Sequence, residues 1–144
     1  MKRHESLAPL SREHHPTLIL AQLLKKNAPA YKGMPTEPPA KAAYALDLFL
    51  KDIQKHFAKE ELLLGKLTGV NPEIDSLAKE IITEHQQLTD EFIGLQSPNN
   101  LVEQLDILGH RLEQHIRKEE RVLFPLIEQY CTTSQLDDLA LFLH

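Results

Sequence analysis

Apolar residues recur along most of this chain at spacings of three and four, the pattern of one buried face on an α-helix. Proline and glycine interrupt the pattern at a few places and mark where helices begin and end. The first helix is predicted to begin at Ser11, a good N-cap, and to run through LILAQLLKKNA to the PAYKGMPTEPP loop. No segment alternates apolar and polar residues in a way that predicts a strand.

Two further helices are predicted after this loop. The second starts after Pro39 and continues to Gly69, which can serve as its C-terminal cap. The third is capped by Asn71, has Pro72 at its first position and ends near Gln96. The connection between these two helices is therefore only a few residues long.

A fourth helix is predicted from the same kind of start signal. Ser97 and Pro98 precede it, and it runs from Asn99 to about Tyr130. Pro125 lies inside this helix and is expected to kink it, because its ring removes one backbone donor and crowds the preceding turn.

The segment TSQLDDLALFLH predicts a short fifth helix, with Thr133 or Ser134 as its cap. Because the connections before the third and fourth helices are short, these neighbours must run antiparallel. The predicted fold is all-α: an up-down-up-down antiparallel four-helix bundle with a short C-terminal fifth helix, in a single domain over residues 1–144.

Each long helix places polar residues where its apolar stripe needs a large apolar side chain. The stripe of the fourth helix reads Leu101, Leu105, Leu108, Leu112, His115, Glu119, Val122 with Leu123, and Leu126. That of the second reads Leu46, Phe49, Ile53, His56, Glu60 and Leu63. The third has Ile74, Leu77, Ile81, His85, Leu88, Phe92 and Leu95. The first offers His14 and His15 ahead of Leu18, Ala21 and Leu24.

These histidines and glutamates must be compensated inside the bundle. An unpaired buried carboxylate costs several kcal/mol, a large part of the roughly 5 to 15 kcal/mol that stabilises a domain. Four imidazoles and two carboxylates suit two metal ions, each bound by two imidazoles and both bridged by the carboxylates. This donor set favours iron, manganese or zinc. In the alternative, each glutamate pairs with a protonated histidine and no metal is bound.

Composition narrows the classes of partner. The formal net charge is −5 and the pI is about 5.9, so no excess of positive charge is available to bind nucleic acid. No apolar run approaches the roughly 20 residues of a membrane span, and the N-terminal MKRHESLAPL lacks the apolar core of a signal peptide. We therefore predict a cytoplasmic protein without a membrane partner. Cys131, the single cysteine, cannot form an intrachain disulfide.

The segments LSREHH, HFAKEE, EHQQL and HIRKEERVLFP follow one another along the four long helices. In this order and spacing the chain resembles the hemerythrin-like (HHE cation-binding) domain family over nearly its whole length. The resemblance implies a non-haem di-iron site with O2 or NO as the small ligand. It also implies a role in oxygen binding, in iron or redox sensing, or in the repair of damaged iron centres.

The resemblance also implies roles for individual residues. The expected metal ligands are His56 and His115 as terminal ligands, Glu60 and Glu119 as bridging carboxylates, His85 from the third helix, and His14 or His15 from the first. His14 is preferred because L-x-x-E-H matches the family's opening, although Pro16 departs from the pattern and leaves His15 as an alternative. Glu61 and Glu120, beside the bridging acids, are expected to be solvated or to orient ligand imidazoles.

One departure from the family concerns the third helix. Oxygen-carrying hemerythrins have two histidines four residues apart there, whereas Ile81 and Thr89 flank His85 at these distances. One ion thus loses a ligand and the centre becomes more open, which disfavours oxygen carriage and favours reactivity or sensing.

Three hypotheses follow. The first is a metal-binding protein that binds or senses oxygen, nitric oxide or iron and redox status. The second is a metal-dependent enzyme, either a weak peroxidase or oxidase or an iron-centre repair factor. No nucleophile, acid–base pair or cofactor loop outside the site predicts turnover, so the first is preferred. The third is a structural helical module without metal.

Overall fold

Helices make up most of the computed structural model, which describes residues 3–96 and 100–143. The bounds are α1 Ala8–Leu24; α2 over 38–66, made of Pro38–Leu48, the π-helical turn Phe49–Ile53 and Gln54–Lys66; α3 Pro72–Gly94; α4 over 101–130, made of Leu101–Lys118, the π-helical turn Glu119–Leu123 and Phe124–Tyr130; and α5 Thr133–Leu143. The described residues contain no strand. The predicted all-α antiparallel bundle with a short fifth helix is confirmed.

The predicted N-cap of α3 is confirmed, whereas α2 ends at Lys66, three residues before Gly69, which was predicted to cap it. Asn71 caps α3, since its side-chain oxygen accepts hydrogen bonds from the backbone N–H of Glu73 at 2.8 Å and of Ile74 at 3.4 Å. Gly69 lies two residues earlier with φ +86°, a left-handed conformation that suits glycine and turns the chain after α2.

Two other predicted caps are wrong. α1 begins at Ala8 rather than at Ser11, because Pro9 fits the first turn of a helix and does not interrupt it. α5 is capped one residue before the predicted positions, by Thr132, whose hydroxyl and backbone N–H both hydrogen-bond Gln135. The predicted start signal of the fourth helix at positions 97–99 and His144 lie outside the described residues.

α4 continues through Pro125 by adopting a π-helical turn immediately before it. In this turn the N–H of Phe124 donates to the carbonyl of Glu119, five residues back. The extra residue in the turn changes which side chains face the axis. Val122, predicted to be inward, is 43% exposed, whereas Leu123 and Ile127 are buried. The prediction for Val122 is therefore wrong.

A polar layer divides the apolar interior into two clusters. One cluster contains Phe49 and Leu88, and the other contains Ile81 and Phe124. On α3 the chain passes from the second cluster at Ile81 to the first at Leu88 through the buried His85. Tight apolar packing on both sides of the layer holds the polar side chains in fixed positions.

Candidate metal centre

Six buried polar side chains from the four long helices form this layer. They are His14, His56, Glu60, His85, His115 and Glu119. The seventh residue considered from the sequence, His15, is not brought into the layer and is exposed on α1. Successive residues of an α-helix point about 100° apart, so only one of two adjacent histidines can face the bundle axis.

The six side chains form two overlapping donor sets that share both carboxylates. One set is His14 and His56 with Glu60 and Glu119, and the other is His85 and His115 with the same two glutamates. Within each set the ligand atoms all lie within 4.8 Å of one another. The Nε2 atoms of His56 and His85 each lie 3.0 Å from an oxygen of Glu60. Those of His14 and His115 lie 3.0 and 3.4 Å from an oxygen of Glu119.

Many of these atoms converge without forming hydrogen bonds. Within the described part of the chain, no hydrogen-bond partner is found for Nε2 of His14, His56 and His115, for Oε2 of Glu60, or for either carboxylate oxygen of Glu119. Buried polar atoms without partners are costly and uncommon in folded proteins. Cations between the facing atoms would satisfy them, and the imidazole and carboxylate donors fit iron, manganese or zinc.

A second carboxylate supports each histidine from outside the layer. The Nδ1 atoms lie 2.8 Å from Glu13 for His56, 2.9 Å from Glu61 for His85, 2.7 Å from Glu84 for His115 and 2.7 Å from Glu120 for His14. We call these four acids the outer carboxylates. Because an ionised carboxylate only accepts hydrogen bonds, Nδ1 carries the proton and Nε2 faces the layer, where it could bind a cation. In the structure Nε2 of His85 forms a hydrogen bond with Oε1 of Glu60 at 3.0 Å, while the other three Nε2 atoms have no hydrogen-bond partner among the described residues.

The outer carboxylates connect the four long helices in a closed ring. α1 supplies the acid for the histidine of α2, α2 for that of α3, α3 for that of α4, and α4 for that of α1. Contacts of Glu61 and Glu120 with imidazoles agree with one of the two roles expected from the sequence. Glu13 and Glu84 were missed, although each directly precedes a site histidine in the chain, and this Glu-His doublet is the available signal.

Aromatic rings cover two of the imidazoles. The ring of Phe57 stacks on His85 with centroids 4.0 Å apart and an angle of 12° between the planes. The ring of Phe124 stacks on His14 at 5.7 Å and 9°. These faces keep water from the rings and fix their planes, so each Nε2 atom has a defined direction.

In the absence of a cation, the two central carboxylates have opposite pKa shifts. Burial and the charge of Glu60 raise the pKa of Glu119 to about 7. Burial alone would also raise the pKa of Glu60, but the charge of His56 and the contacts with the surrounding imidazoles hold it well below its usual value. Two carboxylates this close cannot both ionise freely, so the ionised Glu60 disfavours ionisation of Glu119.

The pKa values of three imidazoles are also shifted by burial and by the neighbouring carboxylates. Burial acts to lower the pKa of His14, but the adjacent carboxylates of Glu119, Glu120 and Glu60 raise it to about 11. The pKa values of His56 and His85 are also raised, because the nearby glutamates outweigh the effect of burial. Protons thus compensate the carboxylates when no cation does.

Three cavities between neighbouring helices have a histidine of the layer in their lining. The largest, about 360 Å³, lies between α3 and α4 and reaches His115. One of about 290 Å³ between α2 and α3 reaches His85, and one of about 190 Å³ between α1 and α2 reaches His56. Each of these cavities is lined by one site histidine together with its outer carboxylate.

The third helix contributes one histidine to the layer. Ile81, four residues before His85, belongs to an apolar cluster, and Thr89, four residues after it, lines the cavity of about 290 Å³. The two donor sets therefore contain equal numbers of imidazoles. His110 is exposed beside Asp106 and lies outside both sets.

Comparison with known proteins gives two matches. A family described as the hemerythrin HHE cation binding domain matches residues 6–127. A protein named iron-sulfur cluster repair protein YtfE, from Edwardsiella ictaluri (strain 93-146), is 41% identical over 58 residues, which is 40% of this chain. The matched segment covers 24% of that relative's length. No solved structure matches the chain significantly.

Among residues 3–96 and 100–143, every helix is too short or too polar to cross a membrane.

Proposed function

The chain belongs to the hemerythrin HHE cation-binding domain family, and from this premise we propose that its polar layer holds two non-haem iron ions. The observation that carries the proposal is the pair of buried donor sets that share Glu60 and Glu119. These glutamates would bridge the ions. Each ion would also take two imidazoles, from His14 with His56 and from His85 with His115. Manganese and zinc are the alternative metals.

Iron in this position would supply reversible binding of a small ligand and one-electron chemistry. Each ion would have four protein donors, which leaves room for a further ligand. The outer carboxylates direct Nε2 towards the ions, and the stacked phenylalanines exclude water. The cavities lined by His115, His85 and His56 would be the routes of approach for that ligand. We propose that the protein binds or senses O2, NO or the iron and redox status of the cell.

The first test is the metal content and visible spectrum of anaerobically purified protein. We expect close to two iron ions per chain, with ligand-to-metal charge-transfer bands after exposure to air. Glu60→Ala and Glu119→Ala should each lose both ions, because each removes a donor common to the two sets. Glu103→Ala, which changes an exposed acid paired with Lys26, is the control. Metal-free protein that takes up no added iron(II) would overturn the proposal.

A second candidate function is the repair of damaged iron centres. It is supported by the 41% identity with a protein named for iron–sulfur cluster repair and by the single histidine on α3. The chain spans about a quarter of that relative, so the relative's activity is here only a proposal. The iron-loaded protein should restore an iron–sulfur enzyme inactivated by nitric oxide, whereas the Glu60→Ala variant should not. Failure of both proteins to restore it would argue against repair.

A peroxidase or oxidase activity is separated from ligand binding by measuring peroxide consumption. A binding protein should consume peroxide at most stoichiometrically, while an enzyme should turn over many equivalents per chain. A cytoplasmic location and a single domain over residues 1–144 are further proposals, which rest on the sequence.

A further inference from the structure

The segment before α1 is fastened to α4 by Arg3. Its guanidinium lies 2.9 Å from Oε1 of Glu128 and contacts Glu120 twice, at the backbone carbonyl at 2.9 Å and at Oε1 at 3.3 Å. The next residue extends this attachment, because the backbone N–H of His4 donates to Oε2 of Glu128. Arg3 is only 20% exposed, so these contacts are partly shielded from water.

The contact of Arg3 with the backbone of Glu120 follows from the shape of α4. In the π-helical turn, carbonyls accept from the N–H five residues later, as Glu119 does from Phe124. The corresponding donor for the carbonyl of Glu120 would be residue 125, which is a proline and has no N–H. Arg3 supplies the missing donor and thereby fixes both the backbone and the side chain of Glu120.

Glu120 in turn fixes His14. It is the outer carboxylate on Nδ1 of His14, at 2.7 Å, and it also accepts a hydrogen bond from the hydroxyl of Ser11 at 2.6 Å. The guanidinium of Arg3 lies over the ring of Phe124 at 5.5 Å, and this ring also stacks on His14. Arg3 thus acts on His14 through an acid and through an aromatic ring.

Of the two outer carboxylates of the opposite donor set, one is held less firmly. Glu84, which supports His115, also pairs with Lys118, just as Glu13 on the first set also pairs with Lys59. Glu61 is 42% exposed, and in the described part of the chain His85 is the only side chain with which it pairs. It also lines the cavity of about 290 Å³ that reaches His85. The two donor sets therefore contain the same kinds of ligand, two imidazoles and two shared carboxylates. The residues that support those imidazoles differ between the sets.

We propose that Arg3 is a positioning residue for the metal centre. It acts through Glu120 on His14, and it makes the ion at His14 and His56 slower to leave than the ion at His85 and His115. The inference rests on the proposed function, since it requires two bound ions. It adds that they leave in a fixed order, set by residues outside the ligand set.

The experiment follows the loss of iron to a chelator. Protein loaded anaerobically with iron(II) is mixed with an excess of a chromogenic iron(II) chelator, and release is recorded with time. The wild-type protein should release iron in two phases of equal amplitude. Arg3→Ala should accelerate the slow phase about tenfold and leave the fast phase unchanged, because loss of a residue that orients a ligand typically weakens metal binding 10- to 100-fold.

Three further variants sharpen the result. Arg3→Lys should accelerate the slow phase less than Arg3→Ala does. An ammonium keeps a positive charge beside Glu120 but lacks the planar guanidinium that contacts both glutamates. Glu61→Gln should accelerate the fast phase, which assigns that phase to the His85 side. Arg117→Ala, which removes an exposed arginine paired with Glu113 on α4, should change neither phase.

The outcomes separate the inference from the proposed function. Equal acceleration of both phases by Arg3→Ala would indicate general loosening of the bundle and overturn the positioning role. Unchanged release, or release from the wild type in a single phase, would overturn the inference while two bound irons would still support the proposed function. Wild-type protein that binds no iron would overturn both.

Discussion

At the residue scale, two adjacent glutamates in one helix make different contacts. Glu60 and Glu119 lie four residues after a histidine and point to the bundle axis, where they are fully buried. Glu61 and Glu120 follow them by one residue and therefore point about 100° away, towards the histidine of a neighbouring helix. A Glu-Glu doublet thus supplies one central donor and one outer carboxylate.

Glu13 and Glu84 allow the outer carboxylates to be tested without changing a proposed ligand. Glu13→Gln and Glu84→Gln should each weaken iron(II) binding by about 10- to 100-fold, because an amide accepts the Nδ1 hydrogen bond but carries no charge to strengthen the imidazole as a donor. Equilibrium competition with an iron(II) chelator measures the loss.

Glu103→Gln is the matched control, because Glu103 is 55% exposed and pairs only at the surface with Lys26. An affinity of the Glu13 and Glu84 variants equal to that of the control would show that the outer carboxylates do not tune the centre.

The sequence predicts the residues of the polar layer better than it predicts the outer carboxylates. His56 with Glu60, and His115 with Glu119, interrupt apolar stripes at i and i+4, so their position follows from the helical period alone. The support of His56 by Glu13 joins residues 43 positions apart on different helices. The periodicity within one helix cannot predict a contact between two helices. That contact depends on how each helix is rotated about its own axis, which the sequence pattern does not give.

At the element scale, π-helical turns explain where the predicted register fails. Each of α2 and α4 contains one such turn, Phe49–Ile53 and Glu119–Leu123, close to its His-x-x-x-Glu pair. Such a turn adds one residue to the helix, and no particular amino-acid composition marks it in the sequence. Beyond the turn, the residues that face the bundle axis are therefore shifted by one position from those expected for a regular α-helix. This explains why Val122 is exposed although the stripe predicts it inward, while the existence and order of the four long helices follow correctly from punctuation and period.

The close packing of α1 against α4 can be tested by replacing Gly109. A Cβ atom there would lie 2.7 Å from the backbone carbonyl oxygen of Ala21 and 3.2 Å from Cβ of Leu24. Gly109→Ala should therefore force the two helices apart and lower the free energy of unfolding by about 1 to 3 kcal/mol. Urea unfolding followed by circular dichroism measures the change.

Gly65 provides the comparison, because a Cβ atom at this helical position meets nothing within 4 Å. Gly65→Ala should raise the free energy of unfolding by about 0.5 to 1 kcal/mol through its better helix propensity. An increase in the free energy of unfolding at both positions would show that α1 and α4 have room to adjust.

At the scale of the whole molecule, the polar layer makes the fold depend on what occupies it. Two apolar clusters pack on either side, and the facing histidines and glutamates between them require positive charge. Bound cations supply it in the proposed functional state. In the metal-free protein, protons on the histidines supply it, as their raised pKa values show.

The stability of the metal-free protein should therefore fall with rising pH. The pKa of His14 is raised from 6.5 to about 11, so its protonated form stabilises the fold fully below pH 6.5 and loses this contribution as the pH rises towards 11. His56 and His85 act in the same direction, since their pKa values are also raised. Ionisation of Glu119, whose pKa is raised to about 7, adds to the loss between about pH 4.5 and 7.

The iron-loaded protein should behave differently, because ions replace the protons and the coordinated imidazoles no longer titrate in this range. Thermal unfolding midpoints measured from pH 6.5 to 9.5 should decline steeply for the metal-free protein and remain nearly constant for the loaded one. Parallel curves for the two forms would mean that the added metal does not bind between the histidines and glutamates. A flat curve for the metal-free form would mean that protons on this layer contribute little to holding the two apolar clusters together.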